Sequence, residues 1–189
     1  MPSEDFIVLA IREFNQLKRL ADRAIARLPA DQLFTQPGPV DNSVAVVMKH
    51  VGGNLRSRWQ DFLTSDGEKP DRNRDQEFII LPADSREKIF AQWEEGWAIL
   101  FRELKPLGAA DLDRTVKIRG EPITVLQAVT RQLTHYAYHV GQIVYLSKHL
   151  VGASWSSLSI PVGQSEQFNK APAKYIAPPF GTKSASGPS

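Results

Sequence analysis

Residues 134–146 read THYAYHVGQIVYL and place His135 and His139 four positions apart. Four residues on a helix advance the side chain by about 400°, so both imidazoles leave one face with Cβ atoms roughly 6 Å apart. One divalent ion bridges such a gap when both rings are neutral, and a rigid helix holds them with little entropy loss. The surrounding pattern predicts that helix. Val125, Val129, Tyr136, Val140 and Ile143 form an apolar stripe, flanked by a polar edge of Gln132, His135, His139 and Gln142. Thr124 with Gln127 reads as a capping box at the start, and Gly152 ends the run after Val151.

Working backwards from this helix, residues 114–118 alternate apolar and polar, Arg119-Gly120-Glu121 offers a turn, and Pro122 follows, which predicts a small β-hairpin. A third helix is expected from Asp84, with Asp84 and Glu87 as a capping-box-like start and Ile89, Phe90, Trp93, Trp97, Leu100, Phe101 and Leu104 as its stripe. A second helix is expected from a cap at Asp41, Asn42 or Ser43 to about Thr64, burying Val44, Val47, Met48, Val51, Leu55, Trp59 and Phe62. The first runs over residues 4–28, on Ile7, Ala10, Ile11, Phe14, Leu17, Ala21, Ile25 and Leu28, up to Pro29. The fold class is therefore all-α, a four-helix bundle with long loops and a small hairpin before the last helix.

Four histidines exist in the chain, so His50 and His149 are the candidates to complete a site. His50 projects about 60° from the Val47 edge of the second stripe, at a border between core and cleft, with Asn54 and Ser57 on its flank. Packing the second and fourth helices stripe to stripe brings two such borders face to face, and Gly52 and Gly53 are expected to let those two backbones approach. His149 lies in the last turn of its helix, where the dipole favours a cation, which suits a structural role. Residues 65–83 have no helical period and carry much charge. Asp75 and Glu77 there are candidates for a ligand or base, and a solvated loop held by pairs to Arg72 and Arg74 is the plainer reading.

The composition narrows the function classes. The hydrophobic and charged fractions, 42% and 23%, are those of ordinary globular chains, and 189 residues suit one domain. The 23 basic and 21 acidic side chains are spread along the chain and leave a net charge of +2, which argues against a nucleic-acid partner. No apolar run reaches the 18 or so residues of a membrane span and no secretion signal is read, so no membrane association and a cytoplasmic location are expected. The absence of cysteine excludes disulfides, thiolate ligands and cysteine nucleophiles. Trp155, Leu158, Ile160 and Phe168 give the segment after the last helix enough apolar surface to be expected to dock on the bundle. The domain reading is residues 1–170 with this docked tail, followed by a Pro/Ala/Ser/Gly-rich extension over 171–189 that can bury little.

A histidine on the second helix, HYAYH on the fourth and the GQIVYL that follows make the chain similar to the DinB/YfiT-like superfamily of metal-binding four-helix bundles. The resemblance covers about residues 4–151. NSVAVVMKHVGGNLRSRWQDFL, NRDQEF and LSIPVGQSEQFN resemble a bacterial branch of it with no known function. The resemblance implies a metal triad of His50, His135 and His139, a zinc, nickel or similar divalent ion, and a homodimer. It also implies a small-molecule substrate, with transfer of a low-molecular-weight thiol or hydrolysis as the reactions found in the superfamily.

Three imidazoles leave a coordination position open, the feature that separates catalytic from structural zinc sites. Tyr136 follows His135 where an HExxH protease has its glutamate, which argues against a peptidase. Tyr138, Gln142 and Asn54 are candidate substrate orienters. Two functions stay open: a metal-dependent thiol transferase or hydrolase, and a non-enzymatic bundle that uses a metal as a staple.

Overall fold

The computed structural model describes residues 4–170. Its long helices are α1 (Glu4–Ile25), α2 (Val44–Trp59), α3 (Arg86–Leu104) and α4 (Val125–Val151), with strands β1 (Thr115–Ile118) and β2 (Glu121–Thr124) inserted before α4. Helix α2 packs chiefly on α3, α1 on α4, and α2 on α4. This is the expected all-α bundle with a small hairpin. None of the described helices is long and apolar enough to cross a membrane. The compact unit that holds the bundle ends at Trp155, whose ring lies 5.3 Å below the Arg27 guanidinium. A second unit starts at Ser156 and contains α5 (Ser165–Lys170). The expected 171–189 extension lies outside the described residues.

Local chemistry sets the helix ends. Ser43 Oγ accepts the Val46 N–H to cap α2, and Ser85 Oγ accepts that of Lys88 to cap α3. The α3 cap is thus Ser85 rather than Asp84, whose carboxylate instead takes the Leu81 N–H and the Lys49 ammonium. Thr124 and Gln127 exchange both bonds of a capping box, and Gly152 closes α4 with φ of 61°. Helix α2 stops five residues before the expected Thr64. Gln60 is extended and Asp61 adopts φ of 52°, so the chain turns away before Phe62, which is still buried.

The core is aromatic. Trp59, Trp93, Trp97, Tyr136 and Phe14 are almost wholly buried, and each such side chain contributes on the order of 1.5–3 kcal/mol of transfer free energy. Trp59 Nε1 donates to the Tyr136 hydroxyl at 3.1 Å, which donates to Asn54 Oδ1 at 3.0 Å, so these three polar groups are paired, whereas the buried Trp97 Nε1 has no partner among the described residues.

Two expectations about α2 are corrected. Only Gly53 and Arg56 of its residues escape full burial, so α2 is enclosed all round rather than amphipathic, and His50, 3% exposed, meets only the wall of a cleft. The loop 65–78 covers the face that a simple amphipathic helix would leave wet. The paired glycines also serve other neighbours than α4. A Cβ on Gly52 would stand 3.0 Å from the Gln92 carbonyl oxygen of α3, and one on Gly53 would strike the Glu77 carboxylate. Gly96 of α3 meets the Gly52 carbonyl from the other side, which makes α2–α3 the close backbone approach.

Candidate metal centre

His50 comes from α2, and His135 and His139 from successive turns of α4. One ligand nitrogen from each lies within 4.8 Å of the others. The Nε2 atoms of His135 and His139 are 3.1 Å apart. Two nitrogens sharing one ion at about 2.0–2.1 Å with a tetrahedral angle stand roughly 3.3 Å apart, so the donor set fits a single metal. The His50 ring centroid is 4.7 Å from that of His139 and 5.5 Å from that of His135. His149, the fourth histidine, is exposed at the end of α4 and lies outside the cluster.

The outer nitrogens are held separately. His50 Nδ1 is 2.9 Å from Glu77 Oε2, and His139 Nδ1 is 2.8 Å from Gln142 Oε1. With carboxylate or amide oxygen as acceptor, each ring carries its proton on Nδ1 and turns an Nε2 lone pair inward. His135 Nδ1 has no hydrogen-bond partner among the described residues, so only the inner side fixes its tautomer. Burial, with the adjoining His139 and His50 and the Arg58 and Arg72 charges, pushes the His135 pKa down to about 3. Burial also lowers that of His139, assisted by His50 and opposed by Gln142. Both imidazoles are therefore neutral at ordinary pH, the form in which a histidine can ligate a metal.

The loop 65–83 is where the structure departs most from the sequence expectation. A 3-10 turn at Asp75–Phe78 points Glu77 inward and Asp75 outward. The Asp75 carboxylate is 94% exposed and remote from the cluster. Glu77 is buried, takes Nε and Nη2 of Arg72 at 2.8 Å each, and abuts His50. Burial alone would raise its pKa, but the His50 and Arg72 hydrogen bonds and the Arg72 charge prevail and hold it below the usual carboxylate range. Phe78 lies over the His50 ring at 4.7 Å between centroids. Glu77 is thus the functional residue that the sequence reading placed in a solvated loop, and it orients a histidine instead of completing the donor set.

The histidines open onto a cleft of about 510 Å³ that Tyr138, Gln142 and Asn54 also line. Asn54 is committed to Tyr136 and Gln142 to His139, while Tyr138 is 64% exposed and its ring lies 5.0 Å from that of His139. Only the carbonyl oxygens of Asn54 and Gln142 are engaged, so their amide N–H groups, like the Tyr138 hydroxyl, are open to a ligand among the described residues.

A family described as "Protein of unknown function (DUF1572)" matches the chain over residues 2–164. The chain belongs to this family. The match spans α1 to the residues just before α5, so the DUF1572 unit includes the bundle, the hairpin and all three clustered histidines. No curated protein matches the chain.

Proposed function

We propose that His50, His135 and His139 hold one divalent metal ion and that the adjoining cleft binds a small molecule for metal-dependent thiol chemistry. The observation that carries this reading is the convergence of three imidazoles, two with their outer nitrogens already anchored by Glu77 and Gln142. Zinc or nickel suits an all-imidazole donor set. The bundle and triad also support placing this DUF1572 member in the DinB/YfiT-like superfamily.

When bound, such an ion would activate a water molecule or a thiol at neutral pH. The protein's own contribution is to orient and to exclude. Glu77 and Gln142 fix the tautomers of His50 and His139, Phe78 covers the His50 ring, and burial keeps His135 unprotonated. A general base is not provided at the cleft wall. Both Glu77 oxygens are occupied, and among the described residues no Asp or Glu lines the cleft. Hydrolysis requires a positioned base to take a proton from water, whereas a bound thiol is deprotonated by coordination itself. The arrangement therefore favours thiol transfer over hydrolysis.

Elemental analysis of tag-free protein tests the first half, with close to one divalent ion per chain expected and its loss in His50→Ala. In a cobalt-substituted sample, a small thiol should bring in an intense thiolate-to-metal absorption that strengthens as pH rises. A cobalt spectrum indifferent to thiol and to azide would replace the catalytic reading with that of a closed structural site.

A further inference from the structure

The cleft in front of the histidines is lined by five arginines drawn from separate parts of the chain. Arg58 comes from α2, Arg72 and Arg74 from the following loop, Arg119 from the hairpin turn and Arg131 from α4. Among the described residues no Asp or Glu shares that lining. Arg58, Arg72 and Arg119 are tied behind it to only two carboxylates, Glu68 and Glu77. Three guanidiniums against two carboxylates leave an excess of positive charge, and Arg74 and Arg131 add to it. Asp75 approaches Arg74 no closer than 3.9 Å and points to solvent, and the Arg131 side chain has no ion pair or hydrogen bond among the described residues.

The five differ in what they can do. Arg58 and Arg72 are buried, with side chains 7% and 3% exposed, and donate to groups of the protein. They act through their field, which a concave, partly desolvated wall strengthens. The Arg74 and Arg119 side chains are 51% and 59% exposed, and Arg131 is exposed, so their fork-shaped donors can reach a ligand. Arg131 precedes His135 by four residues on α4 and so stands on the same face, one turn and roughly 6 Å away.

We propose that the cleft selects a small organic anion, a carboxylate or phosphate ester gripped by Arg131 and Arg74 with Arg119 at the rim. Its reacting atom would lie at the histidines, about one helical turn from the anionic group. This deepens the proposed function and rests on its reading of the cleft as the substrate site. Bidentate guanidinium–oxyanion pairing is the strongest neutral-pH recognition that the lining offers, and it orients as well as attracts.

The test is calorimetric titration of tag-free full-length protein at low ionic strength with succinate, with inorganic phosphate, and with succinamide as the uncharged control. Each is run on chelator-stripped and on zinc-reloaded protein. At least one anion should bind in both forms and succinamide in neither, with affinity falling as salt is added. Arg131→Gln and Arg74→Gln should each weaken that binding roughly tenfold, with metal content unchanged. Arg102→Gln, a change at an exposed side chain of α3 outside the cleft, should have no effect. Circular dichroism verifies that the variants are folded. Binding that disappears on stripping and is indifferent to Arg131 and Arg74 would make the anion a plain metal ligand, overturning this proposal while leaving the metal centre intact. Failure of both anions in both forms would also overturn it. Anion binding through the arginines in a protein that takes up no metal would sink the metal reading and uphold this one.

Discussion

Glu77 Oε2 and His50 Nδ1 stand 2.9 Å apart across 27 residues of sequence, and the same carboxylate accepts two N–H groups of Arg72. One acidic side chain therefore ties a loop to a core helix and sets which nitrogen of His50 is free. Buried on both sides, this contact is among the least screened electrostatic interactions in the molecule.

Glu77→Gln should accordingly lower metal affinity by about 10–100-fold, the usual consequence of losing a partner behind a ligating histidine. It should also destabilise the fold by about 1–3 kcal/mol, because buried Arg72 would lose its two charged hydrogen bonds and keep only the 3.6 Å contact with Glu68. Competition with a chromophoric chelator measures the first effect and urea unfolding the second. Unchanged metal affinity would show that Glu77 serves the loop alone.

The neighbouring glycines separate site from scaffold. Gly53→Ala drives a methyl into the Glu77 carboxylate and should reduce metal affinity although Gly53 touches no histidine. Gly52→Ala presses instead on the Gln92 backbone of α3 and should cost about 1–3 kcal/mol of stability with metal affinity preserved. Chelator competition and melting curves on the two variants, compared side by side, check this division of labour.

Tyr136→Phe should cost about 1–3 kcal/mol, since it strands the Trp59 indole N–H and the Asn54 carbonyl in the core. Tyr136 leaves the helix about 100° round from His135, its ring 5.4 Å away, and is not one of the clustered nitrogen donors, so metal uptake should persist. Unfolding by urea, with metal content determined in parallel, decides the matter.

The metal-free protein should be acid-sensitive over an unusual range. The His135 pKa is pushed down to about 3 in the folded state, against about 6.5 for a free histidine. Between those values the unfolded chain binds more protons, so stability is fully present above about pH 6.5 and declines as pH falls towards about 3. Replacing His135 by Gln should flatten that decline. Urea midpoints of chelator-treated protein from pH 7 to pH 4 provide the comparison, and an unaltered slope would contradict the assignment.

Much of this could be read from the chain because it rests on local periodicity. His135 and His139 share one helix face, Thr124 and Gln127 cap it, and the apolar stripes of all four helices predict their burial. His50 could be paired with them because a polar residue beside a buried stripe needs a partner. What escaped depends on contacts distant in sequence. Glu77 lies in a charge-rich stretch with no period, and nothing local says that it faces inward while Asp75 faces out. The one hint was Gly53, a small residue near His50 whose missing side chain accommodates the Glu77 carboxylate. The enclosure of α2 escaped for a related reason. An amphipathic pattern presumes a wet face, and here a loop covers it. The arginine-lined cleft assembles from α2, a loop, a hairpin turn and α4, so no window of the sequence contains it.

Asp66 fastens the start of that loop to the hairpin: its carboxylate takes the backbone N–H groups of Arg119 and Gly120, at 2.8 and 2.7 Å, as well as that of Glu68. It thereby holds a non-glycine residue, Arg119, at φ of 56° in the two-residue turn. A protein engineer who transplanted the three histidines alone onto another bundle would obtain ligands with nothing to aim them. The smallest transferable module is the stretch from His50 to Phe78 together with the hairpin and α4, since the hairpin is the jig against which the loop is cut to length.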